Sequence, residues 1–217
     1  MLVMNKRDFL IGSAKIAAVI SLSTVGIVSA VRAQALQGYQ LVSPPVNTRN
    51  IKKIEVLEYF WFGCPHCFAF EPSINKWVEE KPDYVEFVRE APPLNPGWEP
   101  HSRAFYAAEI MGVSEQFVEP MFNGIHVDRR SLRSPDNIAK FAGELGIDAE
   151  KFRKTMDSFA VDTRMKQAMQ MAKASRITGV PSVVINGKYL TGGSLAGSHE
   201  GILRVIDERV AEEYAQL

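Results

Sequence analysis

Between Ile51 and Phe60 the chain is apolar on both alternations: Ile54, Val56 and Phe60 share one face, Leu57 and Tyr59 the other. A strand apolar on both faces belongs in the middle of a sheet, and Glu58 is the exception in that pattern. After a bend at Gly63 the period changes. Cys67, Phe70, Ile74, Trp77 and Val78 form one stripe of a helix running from Cys64 to about Glu80. Pro72 lies inside it and removes the bond back to the Phe68 carbonyl, yet the stripe continues, so the expectation is a bend without an end. Tyr84 to Glu90 alternates again through Val85 and Phe87, closing a β-α-β unit. Upstream, Tyr39 to Val42, stopped by Pro44-Pro45, reads as a short edge strand.

Ala91 to Pro100 holds four prolines and Gly97, the composition of a linker. The next stretch, about seventy residues with no convincing strand, is helical in pattern. Its segments are Arg103 to Met111, Gln116 to Phe122, a helix opened by Ser134-Pro135 toward Leu145, a short one capped by Asp148, and Asp162 to Ser175. Pro181 to Ile185 and Lys188 to Leu190 flank Asn186-Gly187, the strongest two-residue hairpin signal. A last helix starts near Ser198 and turns Ile202, Val205, Ile206 and Val210 inward. Strand-helix-strand, helical insert, hairpin, helix makes an α/β protein: a thioredoxin-like fold interrupted by an inserted all-helical subdomain. The expected division is one domain over 36–217, its core at about 36–97 and 169–217, its insertion at about 98–168.

The first 35 residues differ from the rest. Lys6 and Arg7 form a basic start, no charged residue occurs from Ile16 to Val31, and Ala33-Gln34-Ala35 offers a small-x-small cleavage pattern. The apolar run is shorter than the roughly 20 residues of a spanning helix and is diluted by Ser, Thr and Gly. This is an export signal cut after Ala35, or alternatively after Ala33; an uncleaved anchor is the weaker reading. Lys6-Arg7-Asp8-Phe9-Leu10 resembles a twin-arginine motif with lysine first, so Sec and Tat export both stay open. The whole chain of 217 residues balances 25 basic against 25 acidic side chains. Removing the leader takes away Lys6, Arg7, Lys15 and Arg32 but only Asp8, which leaves a net charge of −3. Such a surface has no basic footprint for nucleic acid.

Export implies an oxidising compartment, where structural disulfides are usual. Here the only two cysteines, Cys64 and Cys67, sit in one four-residue motif. A loop that short stabilises by only about 2 kcal/mol, so the pair points to chemistry. With Cys64 as N-cap, Pro65 takes the first helical position, where its missing N–H costs nothing, and His66 and Cys67 follow. The free N–H groups of the first turn and about half a positive charge from the helix dipole then favour a thiolate at Cys64. Cys64 is the expected nucleophile and Cys67 the inward-facing resolving thiol. His66 can donate to that thiolate; a solvent-facing histidine is the bland alternative. No metal site is expected, because His101, His126 and His199 each stand alone in their segments. Trp61, Phe62, Trp98 and the methionines could line a groove for unfolded chains, although residues of that kind at helical spacing more often form core.

C-P-H-C at Cys64 to Cys67, preceded by L-E-Y-F and followed by V-P-S at Val180 to Ser182, resembles the DsbA-type thiol:disulfide oxidoreductases of the bacterial envelope. The likeness runs from about Tyr39 to the C-terminus. It implies a periplasmic disulfide oxidase that needs no cofactor beyond the Cys64–Cys67 disulfide and passes it to reduced, unfolded exported polypeptides through a mixed disulfide at Cys64. It also implies reoxidation by a quinone-linked membrane partner of the DsbB type. A monomer is expected; isomerases usually add a dimerisation domain, and no such segment is evident, which weighs against an isomerase. The resemblance further implies a cis Val180–Pro181 bond opposite the cysteines, with the Val180 backbone pairing with substrate, and proton exchange between Glu58 and Cys67. An ordinary ion pair is the alternative for Glu58; for Glu71 and Arg89 a solvated surface is expected, with membership of the charge network around the motif as the alternative. A reductase or isomerase on the same fold, and a soft-metal carrier using the cysteines and methionines, remain the rival functions.

Overall fold

The computed structural model describes residues 38–216; the leader and its cleavage site lie outside them. A five-stranded sheet holds β1 (Tyr39–Leu41), β2 (Ile54–Tyr59), β3 (Val85–Glu90), β4 (Ser182–Ile185) and β5 (Tyr189–Gly192) in the order β1-β5-β4-β2-β3. Only β2 and β3 are parallel. All six residues of β2 are buried, and it sits inside the sheet, as its two apolar faces require. It begins later than the pattern suggested. Ile51 is 90% exposed, and Asn50 turns the chain by accepting from the Lys52 and Lys53 amides, so two lysines stay out of the interior.

α1 (Pro65–Glu80) connects β2 to β3 and continues through Pro72. Between β3 and β4 the regular elements are a single 3₁₀ turn at Pro96–Trp98 and five helices: α2 (Glu99–Met111), α3 (Ser114–His126), α4 (Pro135–Glu144), α5 (Ala149–Met156) and α6 (Phe159–Ala174). Ser134, Asp148 and Ser158 each cap a helix by accepting from the amide three residues on. After β5 come the single turn α7 (Gly193–Ala196) and α8 (His199–Tyr214), capped by Ser198. The β4–β5 turn is the expected one: Asn186 and Gly187 are both left-handed, and the Lys188 amide donates to the Ile185 carbonyl at 2.9 Å. A Cβ at Gly187 would lie 2.0 Å from the Val46 carbonyl oxygen, so only glycine fits there.

Three apolar clusters tie these layers together. α1 and α8 cover one face of the sheet through Phe70, Ile74, Ile202 and Ile206. On the other face Leu57, Tyr59 and Val184 meet Ala172, at the end of α6. The third cluster fills the helical segment and includes Phe60, Phe62, Cys64 and Cys67. α6 serves two clusters, since Val161, Met165 and Ala168 belong to the helical one. The cysteine motif therefore lies at the seam between sheet and helical layer. No helix among the described residues is long and apolar enough to cross a membrane.

Candidate functional site

Cys64 is the N-cap of α1, in extended conformation (φ −86°, ψ 115°), with Pro65 at the first helical position. Its Sγ accepts from the Cys67 amide at 3.3 Å. Both cysteines are buried free thiols, whereas Pro65 and His66 are exposed. The Cys64 thiol is held down at about 6, chiefly because the Cys67 thiol donates to its sulfur. The amides of Cys67 and His66 and the charge of His66 act in the same sense, against an opposing effect of burial. Local helix-end geometry therefore contributes, but the partner thiol contributes more. Cys67 is pushed far up by burial, then by its hydrogen bond to Cys64 and the charge there, with the charge of Glu58 adding to it.

The Val180–Pro181 bond is cis, and the Val180 carbonyl lies 3.5 Å from Cys64 Sγ. Val180, Pro181 and His66 line a groove of about 390 Å³ that extends to His199. The chain thus brings together groups 116 positions apart. Trp61 and Trp98 stack at 4.5 Å in a second groove, whereas Phe62 is wholly buried against Phe60 and Phe122 and takes no part in a surface. Met121, Met156 and Met165 are core.

Behind Cys67 lies a buried ionic cluster. Glu58 is fully buried; its Oε2 accepts from Arg89 Nε at 2.8 Å, and its Oε1 has no partner. Arg89 Nη2 reaches Glu71 Oε1 at 2.9 Å and Asn75 Oδ1 at 3.0 Å. The solvated reading of Glu71 and Arg89 is thereby corrected: Glu71 is 6% exposed and the Arg89 side chain 15%. The strand register sets Glu58 directly beside Arg89, and Glu71 follows Cys67 by one helical turn, on the inward face. Two carboxylates share one guanidinium.

Residues 55–197 match the DSBA-like thioredoxin domain. The chain belongs to the DsbA-like thioredoxin family. It is 42% identical over 178 residues to the thiol:disulfide interchange protein DsbA of Pseudomonas aeruginosa, covering 82% of this chain and 84% of that one. The crystal structure of Pseudomonas aeruginosa DsbA superposes with a TM-score of 0.79 at 40% identity, covering 82% of this chain and 93% of that one. The oxidoreductase DsbA from Xylella fastidiosa does so at 0.77 with 28% identity, covering 82% and 96%. This DsbA-like chain is a thiol:disulfide oxidoreductase, and the family's redox group is a cysteine pair rather than a bound cofactor. Among its described residues no three His, Cys, Asp or Glu side chains gather as metal ligands.

Two features of this DsbA-like site escaped the sequence reading. His126, on α3, bonds the Phe62 carbonyl through Nε2 at 2.7 Å and stacks on Phe68 at 4.8 Å, bracing the bend that leads into Cys64. Its only sequence signal is a histidine at the end of an amphipathic helix. The second feature is the imbalance of charge behind Cys67. Glu71 is pushed up to about 7, mainly by burial, with Glu58 adding and Arg89 opposing. A carboxyl raised in the folded state loses its proton first in the unfolded chain, so folding stability falls as pH rises from about 4.3 to 7. Glu71→Gln is therefore expected to raise the unfolding free energy at pH 8 by about 1–3 kcal/mol, with no gain at pH 4. Thermal melts at the two pH values check this; an equal effect at both would assign the change to packing.

Proposed function

We propose that this protein is an exported, periplasmic disulfide oxidase that donates the Cys64–Cys67 disulfide to folding polypeptides. A client thiolate attacks Cys64 Sγ, the Cys64–Cys67 bond breaks, and the departing Cys67 sulfur takes up a proton. The client's second thiolate then attacks its own sulfur in the mixed disulfide and releases Cys64 as thiolate. Two electrons pass to the protein, and one disulfide forms in the client. A quinone-linked membrane partner of the DsbB type restores the Cys64–Cys67 bond. Val180 offers backbone to an extended client segment beside Cys64, Pro181 shapes that loop, and Glu58 exchanges protons with Cys67, relaying to its sulfur the proton taken up from solvent. The burial of Glu58, its unpartnered oxygen and the effect of its charge on Cys67 support that last role. The curated relatives, named thiol:disulfide interchange proteins, support the oxidase reading, and the leader read in the sequence supports export.

The observation that carries the proposal is the split between the two sulfurs, Cys64 down at about 6 and Cys67 far up. A thiolate at Cys64 stabilises the reduced protein, so the oxidised protein gives its bond away more readily. Each unit by which the thiol lies below ambient pH adds about 30 mV, and partial solvent screening makes that an upper bound. The reduction potential, measured by equilibration with glutathione, should fall by about 59 mV per pH unit below pH 6, where both sulfurs of the reduced form carry protons. Above pH 6 the slope should halve to about 30 mV, because only Cys67 still binds one. The thiolate absorbance of Cys64 in the ultraviolet should rise through the same pH. A break near 8.5 instead would support a reductase or isomerase. In the same preparation Glu58→Gln should slow reduction of the disulfide by a small thiol while leaving the break in place.

A further inference from the structure

Cys64 is flanked by two grooves with no lining residue in common. One runs past Val180; the other, about 870 Å³, starts at Gly63 and Pro65 and passes between the 3₁₀ turn and the segment after α3. Its floor is aromatic. Trp61 and Trp98 stack at an angle of 6°, and the Trp61 ring also lies over His101 at 5.8 Å. Gly63 permits this arrangement, for a Cβ there would stand 2.3 Å from the Trp61 indole. The rim is basic: Arg129, Arg130 and Arg133 line the groove, and no carboxylate does. Arg130 is held by Glu144 through two hydrogen bonds. Arg129 and Arg133 are exposed and have no ion-pair or hydrogen-bond partner among the described residues. Two unneutralised guanidiniums therefore line a groove that begins beside the nucleophile's own loop, in a chain whose net charge without its leader is −3.

Behind this aromatic surface the His101 ring is fixed by the bond between its Nε2 and the Leu132 carbonyl at 2.6 Å. An aromatic floor suits the flat faces of proline and aromatic side chains, and free arginines suit carboxylates.

We propose that this groove binds an acidic, extended segment of the client polypeptide whose cysteine is bonded to Cys64. The assignment rests on the oxidase reading for the identity of the occupant, and on the groove's own chemistry for its charge. It makes the protein selective for clients that carry Asp or Glu near the reacting cysteine.

Short cysteine-free peptides that differ only in carrying Asp, Asn or Lys beside a Pro-Trp core provide the test. They are titrated against the intact protein and followed by the anisotropy of a dye on the peptide. The Asp peptide should bind about tenfold more tightly than the Asn peptide, and the Lys peptide most weakly. High salt should erase the difference, and so should Arg129→Ser combined with Arg133→Ser. An unchanged Cys64 titration shows that this variant is folded. Trp98→Ala should weaken all three peptides together. Equal binding of the three peptides overturns the proposal, as does a preference that survives loss of both arginines. Dithiol versions of the same peptides separate the two readings. If none is oxidised the oxidase reading fails, and the binding series still decides the groove; if all are oxidised at one rate, the client assignment fails.

Discussion

Cys67→Ala is expected to reduce the oxidation of dithiol peptides to the uncatalysed rate and, in addition, to raise the Cys64 thiol well above its present value of about 6. The first effect follows from electron counting, since one cysteine cannot hold a transferable intramolecular disulfide. The second follows from the site: the largest influence lowering Cys64 is the hydrogen bond from the Cys67 thiol. Alanine keeps the backbone N–H at position 67 but loses that donor. The remaining amides and the charge of His66 should stop Cys64 short of the ordinary thiol value of about 8.5. Cys67→Ser restores a donor and should bring the value part of the way back. Ultraviolet titration of the three proteins measures this directly. A Cys64 that still titrates near 6 in Cys67→Ala would show that the helix end alone produces the shift.

Arg89→Met should cost about 3–5 kcal/mol of folding stability, the loss expected when a buried ion pair keeps its anions and loses its cation. Its stem would still cover Phe60 and Phe87, over which the guanidinium lies at 5.8 and 5.4 Å, so lost packing is a minor part. Glu58 and Glu71 would then be left facing each other in the interior, with Asn75 the only neutral partner. For a chain of this length the melting temperature should fall by about 10 °C at pH 7. Glu71, already pushed up to about 7 by burial, would lose the cation that opposes that shift, so the deficit should shrink as pH falls toward 4. Arg89→Lys should lie between, because an ammonium keeps the charge but cannot reach Glu58, Glu71 and Asn75 in the arginine's forked geometry. A melting temperature unchanged in Arg89→Met would mean that the cluster contributes no net stability.

Much of the architecture was legible because its causes are local. Asn186-Gly187 makes its turn from its own backbone preferences. Cys64-Pro65 opens α1 for the same kind of reason, and β2 lies within the sheet because neither of its faces tolerates water. The misreadings share a different cause. Hydrophobic periodicity tells which face of an element turns inward, yet it cannot tell whether a polar group on that face meets a partner. Glu71 occupies the inward stripe of α1 with Cys67, Phe70 and Ile74, but its partner comes from β3. Likewise His126 finds its carbonyl 64 positions away, and Trp98 finds Trp61 across the proline-rich linker.

From its residues alone this protein declared a helix beginning on a sulfur, a strand buried on both sides and the family pattern in which they sit, because each depends on neighbours within a turn or a hairpin. Folding decided how acidic that sulfur is, which charges are kept from water behind it, and what surface a bound chain meets on either side. Those properties depend on groups from distant segments held at hydrogen-bond distance in an interior with little solvent, where the effect of one proton or charge on another is set by geometry.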